Sequence, residues 1–363
     1  MSQFLIAIIV FYLGLILIKP KYIFLSTGKL ITAILLLSGS FKVELSIFLS
    51  LLICTVLIFD ILEIFLIYDK NYEQALLNFH PNNIDRRGDN LLILVLVFLG
   101  ISTFIIIFGG IDFTDPREYY RLLIGFNTNS SEVNFFSSIA FPFLITISTY
   151  LSSFAYTLKN LFFITSFNFL LGSKGLVATP FLVFIYYNFL YKKNQRFLLI
   201  IIGLLVFFFI FPIYISKLHG YKDIFKWLFS YSDYMRNINN VEEYFLTFPS
   251  KFFVPAFTKY FPGIGRLLNA NPIDMYQEYF PFFISIGKAP GLLIFDDVLR
   301  VGIIFYPLYK FFKIFIFKIA IKYLLKFNYK RNLRVLIFTN NLRVSYTIFA
   351  INLFITQFKR LKI

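Results

Sequence analysis

Apolar runs long enough to cross a bilayer recur along this chain, and they constrain its fold more than any other feature. They lie near 3–18, 22–38, 44–68, 91–111, 135–156, 160–172, 175–191, 197–216 and 292–312, with a further one near 335–357. About 20 apolar residues in a helix span a ~30 Å hydrocarbon core. Backbone groups in lipid must pair within their own segment, so each run reads as a helix. The composition agrees, with 58% hydrophobic and only 15% charged residues, against roughly 25% charged in a soluble domain. The short alternation of a membrane barrel is missing. The expected fold class is all-α: a polytopic integral membrane protein with about ten transmembrane helices, forming one domain over 1–363. The first run has no basic stretch before it and no small-residue cleavage site after it, and reads as a retained helix. The single cysteine, Cys54, excludes a disulfide within the chain and a cysteine-based metal site.

Charge sets the orientation. The loop "YKKNQR" (191–196) is basic without an acid, and "KPK" (19–21) and Lys159 agree with it, so these face the cytoplasm. Counting outward places 39–43, 112–134, the turn at 172–175 and the long segment 217–291 on the opposite side. The helices near 44–68 and 292–312 then both run from the outer face inward. The net charge of +16 is concentrated at the end of the chain, where no Asp or Glu occurs from Val298 onward. Its lysines and arginines alternate with Phe, Ile and Leu. That pattern fits a basic face on the anionic cytoplasmic leaflet better than a nucleic-acid-binding tail. Residues 313–334 carry too many lysines for a span, and 310–334 is expected to form a cytoplasmic or interfacial segment. The 75 residues of 217–291 hold six of the thirteen prolines and the only tryptophan, Trp227. A connection that long is usually functional or a small subdomain, and a large outer loop of short, proline-broken amphipathic helices at the outer interface is expected.

Cations gather on the expected outer face. In "IDFTDPREYYRLLIGF" (111–126), Arg117 and Arg121 are four residues apart and share a helix face. Helix starts and arginine forks both suit phosphate, although the two arginines can equally pair with Asp112, Asp115 or Glu118. Lys174 lies between glycines in "GSKG", inside an apolar run; it either meets an anion or snorkels to the headgroups. Arg236, Arg266, His219 and Glu278 lie in the long segment, and Arg300 follows Asp296 and Asp297 at the start of the next helix. Each alone also fits a solvated loop residue. Together they describe a cationic patch roofed by Tyr and Trp, which suits a glycan carried on a polyprenyl pyrophosphate. No phosphate-binding loop, nucleophile elbow or metal-ligand spacing occurs. The first outer loop, "GSFKV", lacks the acidic pair expected of enzymes that use polyprenyl-monophosphate sugars.

The "GSKGLVATPFLVFIYY" helix start, the arginine-bearing outer loop, the late Pro/Tyr-rich outer loop and the "FDDVLRVGIIFYPLY" stretch together resemble the bacterial O-antigen polymerases of Wzy type. The resemblance covers the layout of nearly the whole chain, through short motifs. It implies an inner-membrane glycosyltransferase that moves a growing glycan from undecaprenyl pyrophosphate to the non-reducing end of another lipid-linked repeat unit, at the periplasmic face. It implies no cofactor and no metal. The implied partners are the undecaprenyl-pyrophosphate-linked oligosaccharide, membrane lipid and a chain-length regulator protein, with no nucleic acid. Arg117, Arg121, Lys174, Arg236, Arg266 and Arg300 would bind the pyrophosphate, and His219 or Glu278 would be the base for the acceptor hydroxyl. The alternatives are an O-antigen ligase, which uses the same donor, and a lipid-linked oligosaccharide flippase or other transporter, which would show internal repeats or broken helices.

Overall fold

The computed structural model describes residues 6, 10, 11, 14, 47–79, 141–170, 174–192, 256–257, 296–339, 344–346 and 348–349. These residues are helical and contain no strand. The helices are α1 (Ile47–Ile67), α2 (Lys70–Leu77), α3 (Phe141–Ser152), α4 (Leu158–Leu170), α5 (Lys174–Tyr191), α6 (Asp296–Lys326) and α7 (Lys330–Thr339). Among the described residues, α1 alone is long and apolar enough to cross a membrane, over Ser50–Ile67; the apolar part of α5, Leu176–Tyr191, is shorter. The runs expected near 22–38, 91–111 and 197–216 lie outside the described residues. The chain divides into two compact units, Met1–Gln74 with Tyr221–Asn328, and Ala75–Gly220 with Tyr329–Ile363.

In the first unit α1 packs on α6, and the two helices run parallel. The partners climb together along both: Phe59 meets Tyr306 and Phe311, Asp60 meets Lys310, Glu63 meets Lys310 and Lys313, and Asp69 meets Lys318. Beyond α1, Asp69 caps α2 by accepting a hydrogen bond from the Tyr72 amide at 3.1 Å. Helix α6 departs from the expected pattern. It continues to Lys326 instead of ending near 312, and Lys310, Lys313 and Lys318 meet carboxylates on α1 and just beyond its end. Asn328, at φ 54, ends it in the left-handed conformation that asparagine tolerates.

Helix α6 is bent at Gly302, whose φ of 75 and ψ of 159 are not helical. The Tyr309 hydroxyl nonetheless donates to Asp297 Oδ1 at 3.1 Å. Twelve residues along a straight helix are about 18 Å apart, beyond the combined reach of the two side chains. The bend therefore brings the short segment before Gly302 back beside the main helix. Pro307 weakens the same region, because it has no N–H to give the Ile303 carbonyl four residues earlier.

In the second unit α3, α4 and α5 pack against one another, and α7 packs on α3 and α5. Thr157 caps α4 through the Asn160 amide, and the Asn160 side chain closes the α3–α4 turn onto the Phe154 carbonyl at 3.1 Å. The core is aromatic: Phe338 of α7 sits among Phe79, Tyr186 and Tyr187, with ring centroids 5.5 to 5.9 Å away. Asn332 and Ser345 exchange side chain-to-backbone hydrogen bonds, holding α7 to the segment after it. That helix starts at Lys330, five residues before the expected run near 335–357.

Candidate functional site

Helix α1 carries two acids, Asp60 and Glu63, in an otherwise apolar sequence, and their spacing of three places them on one face. Lys310 and Lys313 repeat the same spacing on α6. Because the helices are parallel, the pairs meet in register. Lys310 Nζ lies 2.5 Å from Asp60 Oδ1 and 2.9 Å from Glu63 Oε2. Lys313 Nζ lies 2.9 Å from Glu63 Oε1, so Glu63 bridges both lysines. Lys310 also lies 5.4 Å from the centroid of the Tyr306 ring, whose face attracts a cation. These charges are buried: Asp60, Glu63 and Lys310 are 3%, 2% and 4% exposed. Two carboxylates and two ammonium groups leave the cluster formally neutral, and one charge of each sign compensates desolvation that neither could bear alone.

The outward surfaces are the reverse. Leu51, Ile58, Leu62 and Phe65 of α1 are exposed, as are Ile304, Leu308, Phe311 and Phe315 of α6. The α6 side chains in that stripe are 52% to 72% exposed. Further along α6, Lys322, Tyr323 and Lys326 take over the exposed positions. Charges inside and an apolar stripe outside are the arrangement that lipid requires. Asp60 is near the middle of the Ser50–Ile67 span. Phe257, in the segment expected to be an outer loop, packs on Tyr309 and Phe312 with centroids 5.5 and 5.1 Å away. The segment therefore reaches the level of the Lys310 ion pairs at that point.

Lys174 is the first residue of α5, not a mid-turn residue, and α4 ends at Leu170. Two asparagines pin α5. Near its start, Asn168 Nδ2 donates to the Leu176 carbonyl at 2.7 Å and to Ser152 Oγ at 3.1 Å, and its Oδ1 accepts from Ser148 Oγ at 2.6 Å. Near its end, Asn188 Nδ2 donates to the Tyr156 carbonyl at 3.2 Å and the Phe184 carbonyl at 2.8 Å. Tyr191 closes the far end through a 2.6 Å bond to the Leu76 carbonyl. Such neutral polar contacts hold helices together where apolar burial gives no preference between helix and lipid.

Of the residues predicted from sequence, Lys174 and Arg300 are described. Arg300 is buried at 3% exposure in the short segment before Gly302, one turn after Asp297, and does not project as an exposed cation. Arg117, Arg121, Arg236, Arg266, His219 and Glu278 lie outside the described residues. Lys310 does not belong to a solvated basic face, because Asp60 and Glu63 hold it inside, and the partly exposed Lys313 pairs with Glu63. Sequence reasoning missed this cluster, although its signal is plain: ionisable residues within an apolar span mark a structural or functional site. Asn168 was missed as well, because its partners Ser148, Ser152 and Leu176 are brought to it by helix packing. Among the described residues, no three His, Cys, Asp or Glu side chains gather where they could hold a metal ion. Against known proteins, no family model, no curated sequence and no solved structure matches this chain.

Proposed function

We propose that the chain is a polytopic enzyme of the bacterial inner membrane, with about ten spans, that polymerises lipid-linked O-antigen repeat units. It transfers the growing glycan from undecaprenyl pyrophosphate to the non-reducing end of another lipid-linked unit at the periplasmic face. The reversed surface of α1 and α6 supports the membrane setting. Their parallel packing supports the orientation, because the first residues of α1 and α6 then lie at the same end of the pair. The observation that carries the enzymatic reading is the position of Lys174 at the first residue of an apolar helix. A cation there adds to the partial positive charge of the helix start and favours a phosphate group. The donor already carries a pyrophosphate leaving group, so the protein's task is to neutralise charge and to position the acceptor hydroxyl.

Lys174→Ala and Arg117→Ala are each expected to abolish long-chain polysaccharide on a lipopolysaccharide gel while the protein still reaches the membrane. An unchanged ladder in both variants rules the enzymatic reading out. A second reading, a lipid-linked oligosaccharide flippase, draws support from the buried charges near mid-span and from the broken helix at Gly302, both of which recur in transporters. Transfer between purified lipid-linked units by the isolated protein favours the polymerase; movement of the unit across a vesicle membrane without transfer favours the flippase.

A further inference from the structure

We propose that Asn168 is a positioning residue for Lys174, acting by replacing the hydrogen bond that Pro180 removes from the start of α5. This rests on the reading of Lys174 as a pyrophosphate-binding group. Pro180 lies inside α5. It has no N–H, so the carbonyl four residues earlier, that of Leu176, loses its intrahelical donor. An unsatisfied carbonyl in apolar surroundings is costly, and membrane helices tolerate proline where a neighbouring side chain takes over. Asn168 does so from α4 at 2.7 Å.

The rest of the amide is committed as well. Its second N–H donates to Ser152 Oγ and its oxygen accepts from Ser148 Oγ. Ser152 Oγ in turn donates to the Ser148 carbonyl at 2.7 Å. These bonds fix which way the amide points, because a flipped group would set its oxygen against the Leu176 carbonyl. Asn168 thus ties α3, α4 and the first turn of α5 at one point, two residues past Lys174. The proline loosens the helix start, and the asparagine decides where that start sits. The ligand class is the diphosphate of a polyprenyl carrier, whose two phosphate groups demand a fixed cation position.

The probe is undecaprenyl pyrophosphate alone, binding to the full-length protein in detergent. Gel filtration verifies that each variant is folded. Lys174→Ala is expected to weaken binding about tenfold, and Asn168→Leu by a similar factor, since displacing a positioned group by about 1 Å carries penalties of this size or larger. Pro180→Ala restores a backbone N–H for the Leu176 carbonyl. The double variant Asn168→Leu with Pro180→Ala should therefore recover binding to within about threefold of the parent, a non-additive coupling between contacting sites. A purely structural defect would lower the yield of folded protein and leave the affinity of the folded fraction unchanged. Normal binding by Asn168→Leu beside weak binding by Lys174→Ala overturns the positioning role and leaves the site standing. Failure of Pro180→Ala to rescue overturns the hydrogen-bond replacement. Normal binding by Lys174→Ala overturns the site itself, and the proposed function with it. Asn168→Ala, which has no side-chain group to donate to the Leu176 carbonyl, provides a second test should Asn168→Leu fail to fold: it is expected to bind weakly, and parental affinity overturns the role.

Discussion

Lys310→Met is expected to be the most damaging single change in the described part of the protein. It takes the Lys310 ammonium away from both Asp60 and Glu63, which are buried. Removing one member of a buried ion pair costs about 3–5 kcal/mol, since the remaining charge is buried without compensation. The double change Lys310→Met with Asp60→Leu removes one charge of each sign and leaves the Glu63–Lys313 pair in place. Replacing a buried pair with apolar residues of similar size is often neutral or stabilising, so this double variant should recover most of the loss. The measurement is the amount of folded, membrane-inserted protein and its resistance to thermal unfolding in detergent. A double variant as unstable as Lys310→Met alone would mean that Lys310 does more than pair with Asp60. A double variant that is stable but inactive would show that the cluster takes part in function.

Gly302→Ala should have the next largest effect. The backbone at φ 75 and ψ 159 is open to glycine and almost closed to residues with a Cβ, at a cost of about 1–3 kcal/mol. Alanine can relieve that cost by straightening the helix, but straightening would pull Asp297 away from Tyr309 and lose their hydrogen bond. A double-mutant cycle separates these effects. In the parent, Tyr309→Phe should cost about 1 kcal/mol, the usual worth of one hydrogen bond. In the Gly302→Ala background it should cost almost nothing, because the bond is already broken. Additive effects of the two changes would show that the bend does not hold this contact.

The helices over 44–68, 135–156, 160–172 and 175–191 were legible because length and apolar continuity alone define them, and α1, α3, α4 and α5 fall inside those limits or within two residues of them. Helix α6 was misjudged for a physical reason. Lysine density was read as contact with water, which holds only when no counter-charge is available; Asp60 and Glu63 supply it from a segment far away in sequence. No local pattern in 296–326 reveals that partner. The matching spacing of 60/63 and 310/313 does, once both pairs are considered together. Lys174 was expected in the turn at 172–175 and instead begins α5, and the support beneath that helix start was not foreseen. A proline–carbonyl mismatch between 180 and 176 is readable from sequence, whereas the residue that resolves it, Asn168, is set by how α4 packs. The segments that carry Arg117, Arg121, Arg236 and Arg266, 112–134 and 217–291, have no apolar repeat in their sequence, and for them the sequence yields chemistry without geometry.

The distance along the chain between Asp60 and Lys310 has a consequence for biosynthesis. They are 250 residues apart, and a ribosome adding about 5–20 residues per second needs roughly 12–50 s to travel from one to the other. Throughout that interval α1 has emerged with two carboxylates while Lys310 and Lys313 have yet to be made. Acids at mid-bilayer oppose insertion by about 2.5–3.5 kcal/mol each, while each Leu, Ile, Val or Phe favours it by about 0.3–0.6 kcal/mol. The sixteen such residues of α1 therefore only about balance its two acids, and the nascent helix hovers between lipid and water until its partner arrives. Pulse-labelled chains stopped before residue 310 should be degraded faster than chains stopped after 326. The order in which the ribosome makes its two halves thus becomes part of how this protein reaches its bilayer.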